Sequence, residues 1–150
     1  MPESANVFVY GTLLFPDVTS MLGLVSIDLQ TGLDVPLARR PATLANFTRQ
    51  TVALRDVGNF PAIIAGGAGV EGHVLSNVST ASLQQMDEFE GIAEGYYSRD
   101  EVTVVANGAE VSAFAYVCGE RLRGYLKGDW DPERFKKNEL AWYVKNVMGN

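Results

Sequence analysis

The chain has 150 residues, with 12 Lys or Arg, 18 Asp or Glu, one His and one Cys, which gives a formal net charge of −6. One Cys excludes an internal disulfide framework, and one Cys with one His cannot form a Cys/His zinc site. The acidic balance argues against nucleic acid or an anionic membrane surface as a partner, because both require clustered positive charge. With 47% hydrophobic residues and the usual length of one domain, the composition predicts a single globular domain over residues 1–150.

The start of the chain does not resemble a targeting segment. A secretory signal begins with a basic region, whereas the first basic residue here is Arg39. The apolar stretch over residues 7–15 is interrupted by Tyr10, Gly11 and Thr12, and it is shorter than the ~20 residues that a membrane-spanning helix needs. We therefore expect no membrane association and a cytoplasmic location.

The first 40 residues predict one strand and one helix. Residues 6–10 are mostly β-branched or aromatic and stop at Gly11, which predicts a buried strand. The spacing i, i+3, i+4, i+7 predicts a helix with Asp17 as its N-cap, and it joins Val18, Met21, Leu22 and Val25. Residues 26–40 have no clean period and stay unassigned.

The middle of the chain predicts short strands separated by turns. Extended segments are expected at residues 42–48, 50–55, 60–65 and 70–76. Clusters of Gly, Asn and Asp predict turns at residues 56–59 and 66–69.

The last third of the chain predicts a helix, a hairpin and a final helix. A helix is expected over residues 80–90, and two strands follow at 97–105 and 110–118. Asn107-Gly108 between these strands favours a tight hairpin turn, because both residues must adopt positive φ. The final helix is expected to begin with Asp131 as cap and Pro132 in the first turn, and its apolar stripe contains Leu140, Val144 and Val147. Many short strands with few helices predict an α+β fold with a mostly antiparallel sheet or small barrel.

Glu90 is the strongest candidate for a chemical role. At about 100° per residue it projects between the directions of Leu83 and Met86, on the apolar stripe of the helix over 80–90. Gly91 suits the C′ position, which places Glu90 in the last turn. Burial raises the pKa of a carboxyl group and so favours general-base catalysis near neutral pH. The alternatives are a rim residue or an ion pair with Arg99.

The second candidate is the segment Tyr10, Gly11, Thr12 and Leu13, at the point where the first strand ends. Successive backbone N–H groups in such a turn can bind an anion, and Gly allows a ligand to approach the main chain closely. No Gly-Lys-Ser/Thr follows, so this is not a phosphate-binding P-loop. From these residues alone, a simple strand-terminating turn is an equal alternative.

Together these motifs carry a family resemblance that runs from residue 7 to about residue 135. They are Val7-Phe-Val-Tyr-Gly-Thr-Leu13, Phe60-Pro61-Ala62, Met86-Asp-Glu-Phe-Glu-Gly91, Tyr97-Ser-Arg99 and Trp130-Asp131 with Phe135. The combination resembles the gamma-glutamylcyclotransferase-like family, which includes gamma-glutamylamine cyclotransferases and plant avirulence-induced proteins. Met86 stands where Leu is usual in the family.

The resemblance implies a fold, a reaction and a site. The fold is a small mixed, mostly antiparallel β-barrel with two to three flanking helices. The reaction is cyclisation of a gamma-glutamyl amine or peptide to 5-oxoproline with release of the amine, without metal or cofactor. Glu90 would be the general acid/base, and Tyr10, Gly11, Thr12 and Leu13 would bind the small-molecule substrate. The leaving group stays open, as does the choice between a monomer and a weak homodimer.

Other readings are weaker. A Cys118–His73 nucleophile pair would require the two residues to be adjacent, whereas a buried thiol and an exposed imidazole are expected. Arg99 is expected to pair with an acid between residues 87 and 94, and Tyr116 to be a core tyrosine with a satisfied hydroxyl. The main alternative function is a catalytically silent member of the same fold that binds a small metabolite or a protein.

Overall fold

The computed structural model describes residues 3–54 and 58–148. More of these residues lie in strands than in helices. The strands are β1 (Ser4–Val9), β2 (Val25–Ile27), β3 (Asp34–Pro36), β4 (Ala38–Leu44), β5 (Phe47–Leu54), β6 (Gly58–Ala65), β7 (Val70–Ser79), β8 (Tyr97–Ala106), β9 (Ala109–Cys118) and β10 (Leu126–Lys127). The α-helices are α1 (Pro16–Met21), α2 (Thr80–Glu90), α3 (Pro132–Asn138) and α4 (Leu140–Tyr143), and 3₁₀ turns cover Thr12–Leu14 and Glu120–Tyr125.

Five strands close into a barrel. β1 pairs antiparallel with β7 and parallel with β9, while β8 and β9 form a long antiparallel hairpin. β4 lies between β7 and β8 and completes the ring. β6 continues along β9 through the pair Ile63–Val117, beyond the part of β9 that β1 occupies, and it carries β5 and β10 with it. The predicted α+β class with a mostly antiparallel barrel is confirmed.

The alternation of side chains along β1 shows why its last three residues, Val7–Val9, are all apolar and buried. Val7 and Val9 belong to the core that also contains helix residues, such as Met86 and Phe135. Phe8 belongs to a second core whose buried members come from strands and the residues that follow them. Because successive side chains of a strand point to opposite faces, β1 faces the barrel interior on one side and the helices on the other.

Two details of the predicted N-terminal elements are wrong. The helix ends at Met21, and Val25 begins strand β2 instead of continuing the apolar stripe. Gly23 adopts φ of 68°, which turns the chain after only six helical residues. Phe15 occupies the N-cap position and Pro16 the first turn, so Asp17 is a first-turn residue and not the cap.

The middle strands differ from the prediction mainly at their ends. The unassigned region 26–40 contains the last two residues of β2, all of β3 and the start of β4. Asp28 organises a turn there by accepting hydrogen bonds from the N–H groups of Gln30 and Thr31. The predicted break near residue 49 is instead a turn at Asn46, whose φ is 65°. The turn over 66–69 is confirmed. Of the turn predicted over 56–59, residues 56 and 57 lie outside the described residues, and Gly58 and Asn59 belong to strand β6 instead.

The C-terminal elements follow the sequence closely. Helix α2 ends before Gly91, which adopts the left-handed conformation, and the Asn107-Gly108 turn has φ values of 53° and 77°. The Asp131 side chain accepts a hydrogen bond of 3.0 Å from the Glu133 N–H at the start of α3. The final helix is interrupted at Glu139, and α4 continues into a π-helical turn, Val144–Met148. Across residues 3–54 and 58–148, no helix has the length and apolar character needed to span a bilayer.

Candidate active site

The segment of residues 10–13, called the 10–13 loop below, leaves the barrel where β1 ends. The carbonyls of Gly11 and Thr12 accept hydrogen bonds from the N–H groups of Leu14 and Phe15, whereas the first N–H groups of such a turn have no partner within it. A Cβ atom added to Gly11 would overlap the ring of Pro61 on β6. Gly11 therefore allows the loop to lie directly against the neighbouring strand.

Tyr10 is fixed at both its side chain and its main chain. Its hydroxyl donates a 2.5 Å hydrogen bond to the carbonyl of Tyr116, and its carbonyl accepts a 2.9 Å hydrogen bond from Nη1 of Arg49. Burial raises the pKa of Tyr10 well above its ordinary value, and the charge of Glu90 adds to the increase. The Tyr10 phenol is therefore a neutral donor that orients the start of the loop.

Glu90 is the last residue of α2, and its carboxyl group faces the same cavity as the 10–13 loop. The side chain is half-buried, and Glu90 is one of the residues that line the cavity. Burial raises the pKa of Glu90 to about 8, and the nearby Asp87 carboxylate contributes to the increase. Among the described residues, no hydrogen bond or ion pair occupies the Glu90 carboxyl group.

Asp87, one helical turn before Glu90, has polar partners. Its Oδ2 accepts a 2.7 Å hydrogen bond from Nη1 of Arg99, and its Oδ1 accepts a 2.8 Å hydrogen bond from the Tyr116 hydroxyl. The expectation that Arg99 pairs with an acid of the 87–94 cluster is confirmed, and the partner is Asp87. Arg99 is therefore not the partner of Glu90, which leaves the Glu90 carboxyl group available to a ligand.

The cavity between the loop and the end of α2 has a volume of about 360 Å³. This lies within the usual range of about 300–1,000 Å³ for small-molecule sites. It brings together the five residues singled out from the sequence, Tyr10, Gly11, Thr12, Leu13 and Glu90. The other lining residues are mainly apolar or aromatic: Phe8, Val9, Phe60, Pro61, Phe89, Tyr96, Tyr97, Tyr116, Leu122, Tyr143 and Val147.

Three further tyrosines place hydroxyl groups around the cavity, and the sequence alone did not assign them to it. The Tyr97 hydroxyl donates a 2.8 Å hydrogen bond to the Pro61 carbonyl, and the Tyr116 hydroxyl donates to Asp87. Burial raises the pKa of Tyr143 to about 12, against a smaller opposing effect of the Thr12 hydroxyl. Tyr116 is a core tyrosine with a satisfied hydroxyl, as expected, and it also lines the cavity. The sequence contained one signal for Tyr97: it lies two residues before Arg99 on the same strand, so the two side chains share one face.

The other chemically reactive side chains lie in separate surroundings. Cys118 is buried, and its thiol contacts the carbonyl of Gly119. His73 is half-buried, not exposed as expected, and its Nδ1 lies 3.4 Å from Nη1 of Arg39. In the part of the chain that the structure describes, no group of three or more His, Cys, Asp or Glu side chains is arranged to hold a metal ion.

A family model and a curated relative both match the chain over most of its length. The family model described as "Gamma-glutamyl cyclotransferase, AIG2-like" matches residues 7–132. The curated Arabidopsis thaliana protein named Protein AIG2 C is 32% identical over 147 residues, and the match covers 96% of this chain and 79% of that protein.

Solved structures give the same fold. An Arabidopsis thaliana protein determined in solution is 28% identical with a TM-score of 0.65, over 99% of this chain and 82% of that one. A structure described as a gamma-glutamyl cyclotransferase has a TM-score of 0.63 over 95% of this chain and 79% of its own, and at 21% identity it shows the shared fold. The family match over most of the chain, together with the Arabidopsis relative, shows that this chain belongs to the gamma-glutamyl cyclotransferase, AIG2-like family.

Proposed function

We propose that the protein is a gamma-glutamylcyclotransferase that converts a gamma-glutamyl amine or gamma-glutamyl peptide to 5-oxoproline and the free amine. The observation that carries the proposal is the position of Glu90, a carboxyl group of raised pKa that faces the 10–13 loop across one cavity. Family membership supports the same reaction class.

In the proposed reaction Glu90 moves a proton and the substrate supplies the nucleophile. The Glu90 carboxylate takes a proton from the α-ammonium group of the substrate, and the freed amine attacks the γ-carbonyl carbon. A carbon–nitrogen bond forms and closes the five-membered lactam. The bond to the leaving nitrogen then breaks as Glu90 returns its proton to that nitrogen. The second ammonium proton leaves the ring nitrogen during this collapse and protonates the released amine.

The cavity favours this reaction by holding the gamma-glutamyl group folded. Intramolecular attack by a well-oriented group is worth an effective concentration of roughly 10⁵–10⁸ M. In our proposal the N–H groups of Gly11, Thr12 and Leu13 bind the α-carboxylate or the developing oxyanion. The cationic α-ammonium group opposite Glu90 favours the ionised carboxylate, because an adjacent positive charge lowers the pKa of a carboxyl group.

The test is formation of 5-oxoproline from a panel of gamma-glutamyl amines and dipeptides, measured by mass spectrometry. Glu90→Gln keeps the shape of the side chain but cannot accept the proton, so we expect cyclisation to fall by about 10²–10⁴-fold. Glu88→Gln is the matched control, because Glu88 is an exposed carboxylate of the same helix. Turnover that is equal in the Glu90→Gln and unmodified proteins would contradict the role of Glu90. Binding of the panel without product would favour the silent binding protein instead.

A further inference from the structure

The described lining of the cavity changes in character from its floor to its opening. The floor is almost fully buried and carries the hydroxyl groups of Tyr10, Tyr97, Tyr116 and Tyr143, none of which is more than 7% exposed. The partly exposed lining residues other than Glu90 define the opening, which we call the mouth. They are Phe60, Phe89, Tyr96 and Val147.

The described side chains of the mouth are uncharged, and the Tyr96 hydroxyl is the one polar group among them. These four side chains come from β6, from α2, from the segment between α2 and β8, and from the C-terminal π-helical turn. Glu90 is the one charged residue among the described residues that line the cavity.

Two charged side chains flank the mouth without lining it. The Arg121 guanidinium lies 5.2 Å from the centre of the Tyr96 ring. A Cβ atom at Gly91 would lie 2.5 Å from Cδ2 of the Tyr96 ring and 3.2 Å from Oε2 of Glu94, so this carboxylate is close to the same ring. The two side chains have opposite charges. They therefore give the mouth neither a net positive nor a net negative character at Tyr96.

We propose that the amine released by this protein carries an uncharged, apolar substituent, because the mouth that would receive it is built from aromatic and aliphatic side chains. This inference rests on the proposed function. It assigns the gamma-glutamyl end to the floor beside Glu90 and the 10–13 loop, and the substituent of the leaving nitrogen to Phe60, Phe89, Tyr96 and Val147. An amine whose substituent ends in an ammonium or carboxylate group is a poor substrate.

The physical reason is the asymmetry between apolar and charged groups on transfer from water. Each methylene that enters the mouth gains about 0.8 kcal/mol, which is a factor of about four in kcat/KM. A charge that enters the same surroundings loses hydration, and none of the four described side chains that form the mouth carries a charge to compensate for this loss. The preference for an apolar substituent should therefore appear as a difference in kcat/KM between two substrates of equal length, one with an apolar end and one with a charged end.

The experiment compares gamma-glutamyl amides that match in length and differ at the end. They are the n-hexylamide, the 5-aminopentylamide, which carries an ammonium group, and the 5-carboxypentylamide, with the methylamide as a short reference. We expect kcat/KM for the hexylamide to exceed that of each charged amide by about tenfold or more. Equal or higher kcat/KM for a charged amide, with the methylamide turned over, would overturn this inference and leave the proposed function in place. Turnover of none of the four would overturn both.

A substitution at the mouth provides an independent readout. Val147→Glu introduces a carboxylate there, and we expect the ratio of kcat/KM for the aminopentylamide over the hexylamide to rise about tenfold. Val147→Gln is the matched control, since it adds polarity without charge and should change this ratio much less. An unchanged ratio in Val147→Glu, with the folded state confirmed by thermal unfolding, would show that the substituent does not enter the mouth.

Discussion

Asp87 and Glu90 lie one helical turn apart on α2, and their carboxyl groups have different surroundings. Asp87 accepts hydrogen bonds from Arg99 and from the Tyr116 hydroxyl. Glu90 faces the cavity, and its pKa is raised first by burial and then by the charge of Asp87. The Asp87 carboxylate thus joins the strands to the helix, while the Glu90 carboxyl group has no hydrogen-bond or ion-pair partner among the described residues.

The influence of Asp87 on Glu90 predicts a change in the pH dependence of catalysis. The acid limb of kcat/KM reports the ionisation of the free enzyme's base, so in the unmodified protein it should lie near the Glu90 pKa of about 8. Asp87→Asn removes a like charge and should move this limb to lower pH. The position of the limb is the measurement, because the loss of the Arg99 contact also affects absolute rates. Glu88→Gln is the control, and an identical limb in Asp87→Asn and the unmodified protein would contradict the electrostatic role.

The same pKa predicts that Glu90→Gln stabilises the protein at alkaline pH. The carboxyl group ionises near its ordinary value of 4.5 in the unfolded chain and near 8 in the folded protein. The folded state therefore binds more protons between these values, and stability falls as pH rises through this window. At about 1.4 kcal/mol per pKa unit, the upper bound is about 5 kcal/mol, and water in the cavity reduces it.

Urea unfolding at pH 4 and pH 9 measures this effect. We expect the free energies of unfolding of Glu90→Gln and the unmodified protein to agree at pH 4. At pH 9 the variant should be more stable. A difference that is the same at both pH values would show that it does not arise from ionisation of Glu90.

Arg49 is expected to position the 10–13 loop without touching the substrate. Its Nη1 donates to the carbonyls of Tyr10 at 2.9 Å and Glu71 at 3.3 Å, and its guanidinium lies 5.5 Å from the centre of the Trp130 ring. Arg49→Lys keeps the charge but loses the planar guanidinium that makes these contacts together. We expect KM to rise about tenfold, with faster amide hydrogen exchange at Leu14 and Phe15, whose N–H groups donate hydrogen bonds to the carbonyls of Gly11 and Thr12 in the loop.

Arg40→Lys is the matched control for this substitution, because Arg40 is a half-buried arginine on strand β4. It should leave both KM and exchange at Leu14 and Phe15 close to those of the unmodified protein. Wild-type exchange in Arg49→Lys would indicate that the loop holds its conformation without the guanidinium.

Gly11→Ala tests the contact between the loop and β6. The added methyl group would overlap the Pro61 ring, so the loop must move. Overpacking of this kind costs about 1–3 kcal/mol, and we expect kcat/KM to fall with stability. Gly124→Ala is the control, because a Cβ atom there has no neighbouring atom within 4 Å. Equal unfolding free energies for the two variants would contradict the close approach.

The predictions from the sequence were most accurate where the residues of a short segment by themselves determine the backbone conformation. Asn107-Gly108 and Gly91 adopt positive φ as expected, and helix α2 has the predicted bounds. The helix pattern through Val25 failed because residues 22–25 also suit a turn and a short strand, and the pairing of β2 with β3 and β7 decides between them. Spacing along a helix is local, whereas strand pairing is not.

The candidate site shows the same limit. Periodicity pointed to Glu90, since its direction depends on one helix. The roles of Tyr143 and Arg49 could not be predicted in this way, because each contacts the loop only after distant parts of the chain come together. Tyr143 lies in α4 and Arg49 in β5, whereas the loop follows β1. No pattern within a single element connects them.

The parallel seam between β1 and β9 has a consequence for how the protein folds. The Tyr10 hydroxyl and the Tyr116 carbonyl, which meet at this seam, are 106 positions apart in the chain. Closing so long a loop costs entropy before any contact is gained, and distant pairings of this kind slow folding. The β8–β9 hairpin, by contrast, contains only nearby partners. A partly folded chain that retains this hairpin but has not joined β1 to β9 therefore lacks the cavity, so the first molecules able to bind a ligand are those in which the barrel has closed.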